Sequence, residues 1–451
     1  MTLRVVDGFV KEHRLFRGAQ SVMAAVSGGA DSVALLLVLQ ELSNRLGFAL
    51  TAVHFDHMLR PDSAADLAWV AALCEARGVA FLSGEGDVRD TAAKQRLGVE
   101  ETARRMRYQF LSFVAGEKRI DTIATGHTAG DQAETVLMHI LRGSGVRGIR
   151  GMRPLSSVPG GSQRLVRPLL CLTREDTLAI CEEAGVEPRH DPSNADISFA
   201  RNRVRRDLLP FLETFNPGVR GALTGLAESA SSVFERIERE AMLVQPTERT
   251  GIGAIFDRAR LAAPGAEAQL LVVEREAAFY RMSVTANRTA LANLGAMLGG
   301  RGHGSARLGE VEVEASGSVA RVGPRIEPPE LATKVLNVPG VTAMPPYRVR
   351  VLMDAPSAGT QSVAVDGASL SGALRVRAPQ PGDRIRWRGH ERKLSDVFQR
   401  AAVPAWDRRL AVVFADGARV HAVMAGMRSL QADMAPGTDP WHVVVEALPT
   451  T

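Results

Sequence analysis

A chain of 451 residues is long enough for two or three domains, and 45% hydrophobic with 23% charged residues is the balance of an ordinary water-facing globular protein. No apolar run reaches the length of about eighteen residues that a membrane span needs, and the N-terminal MTLRVVDGFVKEHRLF carries charges where a signal peptide needs an apolar centre. The expectation is a cytoplasmic protein with no membrane partner. Cys74, Cys171 and Cys181 form no CxxC pair and point to neither a disulfide framework nor a zinc knuckle. A net charge of +5 does not by itself imply nucleic acid. Its placement says more, because eight basic residues between Arg375 and Arg400 face only Asp383, Glu391 and Asp396.

In chain order, MAAV (23–26) predicts a strand that runs into Ser27-Gly28-Gly29, and Val33, Leu36, Leu37, Gln40 and Glu41 then follow helical spacing. FALTAVHF (48–55) predicts a second strand ahead of Asp56-His57. DTIATGH (121–127) predicts a third, leading into a helix over Asp131–Leu141 whose apolar residues Ala133, Val136, Leu137, Ile140 and Leu141 share one face. Strands alternating with helices predict a parallel, doubly wound α/β sheet, Rossmann-like, with helices on both faces. Ligands bind such sheets at the C-terminal ends of the strands, where Ser27, Asp56 and His127 fall. Helical stretches are expected over roughly 171–240, broken by DPSN (191–194) and NPG (216–218), and over about 265–299. Residues 301–370, rich in Gly, Pro and short β-branched runs, predict small strands and a linker. From Leu374 onward, short strands and turns surround the basic cluster.

SGGADS (27–32) admits two readings. It is a strand–turn–helix corner, or it is a phosphate cradle in which glycine-exposed amides, serine hydroxyls and a helix N-terminus meet an anion. The Walker A pattern is absent. Gly143–Gly148 fits the G-x-G-x-x-G dinucleotide fingerprint, but a helix rather than a strand precedes it, so a nicotinamide cofactor is rejected. Asp131 and Glu134, three apart at a helix start, can face one site; acids in a first turn also occur simply because they suit the helix dipole.

The segments SGGADS (27–32), HFDHMLRPDS (54–63), VEETARRMRY (99–108), GHTAGDQAETVLMHILRGSGVRGIRGM (126–152), DPSN (191–194) with RNRVRRDLLP (201–210), and RAPQPGDRIRWRGHERKLSDVFQRAAVPAWDRR (377–409) resemble the tRNA(Ile)-lysidine synthetase family of the PP-loop ATP-pyrophosphatase group. SGGxDS alone marks only the group. The GH…DQAET…RGSG segment with RNRVR downstream singles out the family.

The resemblance implies an adenine nucleotide alpha hydrolase-like PP-loop domain over 1–215 and a mostly helical tRNA-contacting domain over 216–328. A linker with short strands would follow over 329–370, and a small α+β tRNA-binding domain over 371–451. It implies an ATP-dependent ligase that adenylates the wobble cytidine of a tRNA(Ile) with a CAU anticodon and then joins free L-lysine to it. Pyrophosphate and AMP are released, with Mg²⁺ held through the ATP phosphates and Asp31 as the candidate protein ligand.

By residue, the resemblance places Ser27, Gly28, Gly29, Ala30, Asp31, Ser32, Asp56 and His127 at ATP. Asp131 and Glu134 would bind lysine and handle its proton, with Arg201 as a third catalytic residue. Arg104, Arg107 and Arg205, with Arg384, Arg386, Arg388 and Arg392 near the C-terminus, would meet phosphate or tRNA; spaced charges are also commonly just a solvated helix face. Trp387, Phe398 and Trp406 either stack on bases or build that domain's core. Gly130 departs from the family, which usually carries an acid there. A homodimer is compatible with the sequence. Two rival functions stand beside the synthetase: a PP-loop 2-thiolase, whose paired cysteines this chain lacks, and a non-catalytic tRNA-binding protein.

Overall fold

The computed structural model describes residues 2–59, 63–189, 200–357, 359–417, 419–426, 428–435 and 437–447. The DPSN motif and residues 60–62 of the HFDHMLRPDS segment therefore lie outside the described residues. The chain divides into two compact units, Met1–Arg236 and Ile237–Thr451.

The first unit is built on a six-stranded sheet. Its strands are β1 (Ser21–Ala25), β2 (Ala49–Asp56), β3 (Ala80–Glu85), β4 (Thr122–Thr125), β5 (Leu155–Ser157) and β6 (Arg164–Val166), in the order β3-β2-β1-β4-β6-β5. All neighbours are parallel except the edge pair β5–β6. The helices are α1 (Thr2–Glu12), α2 (Ala30–Leu46), α3 (Ser63–Ala76), α4 (Val88–Gln95), α5 (Val99–Glu117), α6 (Ala129–Leu141), α7 (Val146–Ile149), α8 (Arg174–Glu183), α9 (Ala200–Arg203), α10 (Leu209–Glu213) and α11 (Val219–Leu243). A π-helical turn over Val204–Leu208 joins α9 to α10.

Period-two alternation in the strands makes two cores. Val22, Ala24, Ala52, Ala124 and Val166 pack under α1, α2 and α8. Met23, Val53, Ile123 and Leu165 face the other way and pack under Tyr108, Leu111 and Ala115 of α5. The sequence expectation of a parallel sheet with helices on both faces is met.

The order β2-β1-β4 reverses direction at β1, so a crevice opens between β1 and β4 at the strands' C-terminal ends. Gly126 keeps that crevice narrow on the β4 side. A Cβ there would stand 2.7 Å from the backbone oxygen of Asp31 at the start of α2.

The second unit holds three sheets. Glu248–Thr250, Gly253–Asp257, Val319–Pro324, Val311–Ser316 and Gly304–Leu308 form an antiparallel five-stranded sheet in that order, accompanied by helices Ala266–Phe279 and Arg288–Gly299. The helices expected over 265–299 are present, with the sheet as an addition to the mostly helical reading of 216–328.

The short strands expected over 329–370 are present, and they belong to a sheet. Gly340–Met344, Tyr347–Leu352 and Ser362–Val365 join Trp441–Ala447 in a four-stranded sheet. Its Val349, Val351, Val363 and Val443 share one core with Val376, Phe414 and Ala422 of a seven-stranded sheet. This segment is half of a β-sandwich, closed by a strand from the far end of the chain. Among the described residues, no helix is long and apolar enough to cross a membrane.

The Gly126 contact is backbone to backbone, so a side chain there forces a shift rather than a rotamer change. Gly126→Ala is expected to destabilise the first unit by about 1–3 kcal/mol in urea denaturation; wild-type stability would show the approach to be looser than this.

Candidate active site

The crevice is a cleft of about 450 Å³, within the usual range for small-molecule sites. Its floor is the 27–32 turn. Ser32 Oγ organises that turn: it accepts hydrogen bonds from the N–H of Ser27 and of Gly28, both at 3.1 Å, and donates to Gly29 O at 2.8 Å. Ser27 Oγ donates to it as well, at 3.1 Å. This corrects the expectation that both serines and the whole run of amides serve a ligand. Ser32 and the first two amides are used in shaping the loop, and the open donors are those at the N-terminus of α2, from Gly29 through Asp31.

The two glycines do different work. Gly28 has φ +94°, a left-handed conformation that a side chain resists, and its carbonyl accepts the Arg189 N–H at 2.9 Å. Gly29 has an ordinary φ of −71°. A Cβ on it would meet no protein atom closer than 3.9 Å, and the residue lines the cleft. Gly28 is glycine for the fold, and Gly29 for whatever enters.

Asp56, His127 and Asp31 all line the cleft. Asp56 is buried, and its oxygens accept from Met58 N at 2.8 Å and Ser63 Oγ at 2.9 Å. It is a loop anchor whose carboxylate is already committed. Thr125 Oγ1 and His127 Nδ1 share a hydrogen bond of 2.8 Å. Burial, with smaller contributions from Arg167, Arg107 and Arg201, holds the His127 imidazole neutral, far below its ordinary pKa, although Asp131 pulls the other way. Asp31 accepts from Thr177 Oγ1 at 2.6 Å and from Arg174 at 3.3 Å. Burial nevertheless raises its pKa, with the Asp131 charge adding to the rise.

Asp131 and Glu134 come together as their spacing predicts, but they are not empty-handed. Asp131 Oδ2 accepts from the Thr128 N–H at 2.9 Å, closing the N-terminus of α6. Its Oδ1 receives Arg201 Nη2 and Arg205 Nη2, each at 3.0 Å. Glu134, 1% exposed, accepts Arg201 Nε at 2.9 Å, Arg205 Nη2 at 3.0 Å and a further bond from Arg205 Nε. Two carboxylates and two guanidinia thus form a neutral quartet. Arg201 and Arg205 both point at these acids, Arg205 in place of the phosphate or tRNA that the resemblance implies. Burial works against ionisation of Asp131, but Arg201, the Thr128 amide and Arg205 outweigh it and its pKa lies below the usual carboxylate value.

Gln132, between the two acids, pins the glycine-rich loop that follows: it bonds Arg150 O and both Met152 O and Met152 N. Sequence reading passed over Gln132 because an amide carries no charge signature.

In the second unit Trp406 (1% exposed) and Phe398 are buried core residues, so neither stacks on a base. Arg377, counted in the basic window, is a buried partner of Asp383 at 2.6 Å and 2.8 Å. Arg384 and Arg386 are exposed on one hairpin strand, Arg388 lies exposed at 4.4 Å over the half-buried Trp387 ring, and Arg392 is on the paired strand.

A family model described as the PP-loop domain matches residues 3–212, and one described as the TilS substrate C-terminal domain matches residues 374–444. A protein of Dehalococcoides mccartyi named tRNA(Ile)-lysidine synthase is 41% identical over 47% of this chain and 46% of its own length. Another so named, from Novosphingobium aromaticivorans, is 42% identical over 48% of this chain and 65% of its own. A third, from Parasynechococcus marenigrum, is 38% identical over 56% of this chain and 74% of its own length. The chain belongs to the tRNA(Ile)-lysidine synthase family. The chain spans only about half the length of several curated relatives that it matches. The PP-loop match ends just beyond the π-helical turn at Leu208, so Arg201 and Arg205 fall within it together with the two acids.

Gly29→Ala is expected to leave the melting temperature unchanged while weakening nucleotide binding at least tenfold by calorimetry, whereas Gly28→Ala lowers both. Equal behaviour of the two variants would dissolve the distinction drawn here. The neutral His127 also sets a pH dependence. The unfolded chain takes up this proton near pH 6.5 and the folded one does not, so stability falls as pH drops below 6.5, with a slope approaching about 1.4 kcal/mol per pH unit. Loss of the Asp131 pairing adds to this only below about pH 3.8. Urea titrations between pH 7 and 5 check the slope, and His127→Asn should flatten it.

Proposed function

We propose that this chain activates the wobble cytidine of a CAU-anticodon tRNA(Ile) with ATP and joins free L-lysine to its C2, making lysidine. The observation that carries this reading is the acid pair of Asp131 and Glu134 beside the PP-loop cleft, already holding cationic nitrogen donors at 2.9–3.0 Å. That arrangement suits an ammonium group, and family membership supplies the chemistry.

In the first step cytidine O2 attacks the α-phosphate, the bond from that phosphorus to the bridging oxygen breaks, and pyrophosphate leaves. The open amides at the start of α2 stabilise the charge that gathers on the phosphates. Mg²⁺ would supply further charge neutralisation there. Asp31, a half-buried acid lining the cleft, fits it as a ligand, the phosphates and water supplying the rest. No cluster of three or more His, Cys, Asp or Glu side chains suited to a metal occurs among the described residues, which accords with such a phosphate-held ion.

In the second step the lysine Nε attacks C2, the C2–O bond breaks and AMP leaves. Free lysine is protonated at neutral pH, its pKa being about 10.4. It must bind as a cation and give up a proton before attack. Binding requires one guanidinium of the quartet to step aside. Arg205 is the one placed to do so, being the more exposed of the two and lining the cleft where triphosphate could receive it. The acid pair that holds the ammonium would take that proton. Arg384, Arg386, Arg388 and Arg392 would meet tRNA phosphates from the second unit, and Arg104 and Arg107 from the first.

The purified protein with ATP, Mg²⁺, lysine and the CAU tRNA(Ile) is expected to release AMP and pyrophosphate and to yield lysidine on nucleoside mass analysis; unmodified cytidine at saturation refutes the proposal. Glu134→Gln is expected to retain tRNA-dependent pyrophosphate release but to lose lysine transfer by a hundredfold or more. Parallel loss of both steps would move Glu134 to the nucleotide site. Charge reversal at Arg386 and Arg388 should weaken tRNA binding and flatten its dependence on salt.

A further inference from the structure

A second groove, outside the cleft, is unused by the chemistry above. It encloses about 460 Å³ between the C-terminal end of α6 and the segment 200–211. Leu141, Val204, Leu208 and Phe211 give it an apolar wall, and Arg203 and Asp207 are its polar members. Leu141 is 64% exposed, Phe211 58% and the neighbouring Phe215 75%. The two phenylalanine rings meet edge to face with centroids 5.2 Å apart. A lone exposed apolar residue needs no account, but a contiguous apolar wall with polar groups at its rim marks a binding surface.

The groove continues the seam that holds the quartet. Leu141 lies seven residues after Glu134 on the same face of α6, about 10 Å further along the helix. Leu208 stands seven after Arg201 on the facing segment, and Leu137 and Val204 share one core between them. An occupant of the groove is therefore a near neighbour of whatever the acid pair holds.

The surroundings select that occupant. Arg142 and Arg203 are exposed and form no ion pair or hydrogen bond among the described residues. Arg206 is exposed on the same segment, and Glu213 is already paired with Arg220 at 2.6 Å. A symmetric contact with a second copy of this chain would set these guanidinia against one another. Exposed rings within a basic rim suit RNA with an unstacked base. Asp207 repels a phosphate but accepts from an exocyclic amino group. Of the three CAU bases, the cytidine is committed to the cleft and the uridine has no amino group, whereas the adenine has one.

We propose that this groove receives the adenine next to the wobble cytidine. The base stacks on Phe211, its 6-amino group donates to Asp207, and the flanking phosphates meet Arg142 and Arg203. The inference rests on the function proposed above for the identity of the RNA.

Binding of two synthetic anticodon stem-loop RNAs to the full-length protein tests it. One carries CAU; the other has purine riboside in place of the adenosine, which removes the amino group and keeps the ring. The wild type is expected to bind the purine probe about tenfold more weakly, in line with one hydrogen bond to a charged group. Asp207→Ala should bind the two probes alike. Phe211→Ala should lose about tenfold for both, the size of one base–aromatic stack, while keeping the wild-type melting temperature and ATP affinity, and Phe211→Tyr should restore binding. A wild type blind to the amino group, or an Asp207→Ala protein that still discriminates, overturns the adenine contact. Phe211→Ala with wild-type RNA affinity overturns the groove, and if that variant also sediments as a monomer where the wild type is a dimer, the face joins two copies of the chain instead. Lysidine formation by a wild type whose variants bind as it does would fail this inference alone. A wild type that makes no lysidine while the probe differences persist would fail the proposed function and leave the groove standing.

Discussion

The quartet of Asp131, Glu134, Arg201 and Arg205 is the constraint around which the first unit's chemistry is arranged. Glu134 is nearly inaccessible, and a lone carboxylate at that depth would be neutralised rather than kept charged. Its two guanidinium partners come from the α9 and π-helical segment, so the charge balance of α6 depends on a stretch some seventy residues further along the chain. Removing one partner from a buried pair costs about 3–5 kcal/mol, because a charge is left without its counter-ion. Exchanging one cation for another costs far less. A site built this way opens to a cation and to little else, which is the selectivity that the proposed use of lysine requires. The π-helical turn holding Arg205 is a backbone form often found where a helix has a functional task.

The phosphate side of the cleft works on a complementary principle. Ser32 Oγ takes up the inner amides of the turn and leaves the outer ones at the start of α2 pointing into space, so donors face the cleft without being wasted on one another. Gly126 lets the β4–α6 connection come against the backbone of Asp31, which sets His127 and the acid pair across from those donors. Phosphate chemistry and cation chemistry therefore share one crevice only because two glycines, Gly29 and Gly126, have no side chains.

Much of this was legible in the sequence. The strands β1, β2 and β4, the helix over Asp131–Leu141 and the convergence of Ser27, Asp56 and His127 on one edge follow from alternation and spacing, which are local properties. Pairings between distant segments were not legible. Nothing in RNRVR says that its arginines meet DQAET rather than phosphate, since either anion satisfies a guanidinium. The short strands between 340 and 365 were expected but their sheet was not, because the strand completing it, Trp441–Ala447, lies at the other end of the domain. Trp406 and Phe398 stand in a basic run as base-stacking residues would, and only packing shows that they are core.

The roles that escaped sequence reading share a physical character. Gln132 and Arg167 act through where their polar atoms are placed, each bonded to a loop backbone. Charge and periodicity give no notice of such roles. Arg167 shows this most plainly, since its sequence neighbours VRPLL look like the exit of a buried strand and nothing more. Its position, directly after β6, lets one arginine among many donate to Arg153 O at 2.6 Å and Ser156 Oγ at 3.1 Å, so that a single guanidinium ties the chain entering β5 to the exit of β6.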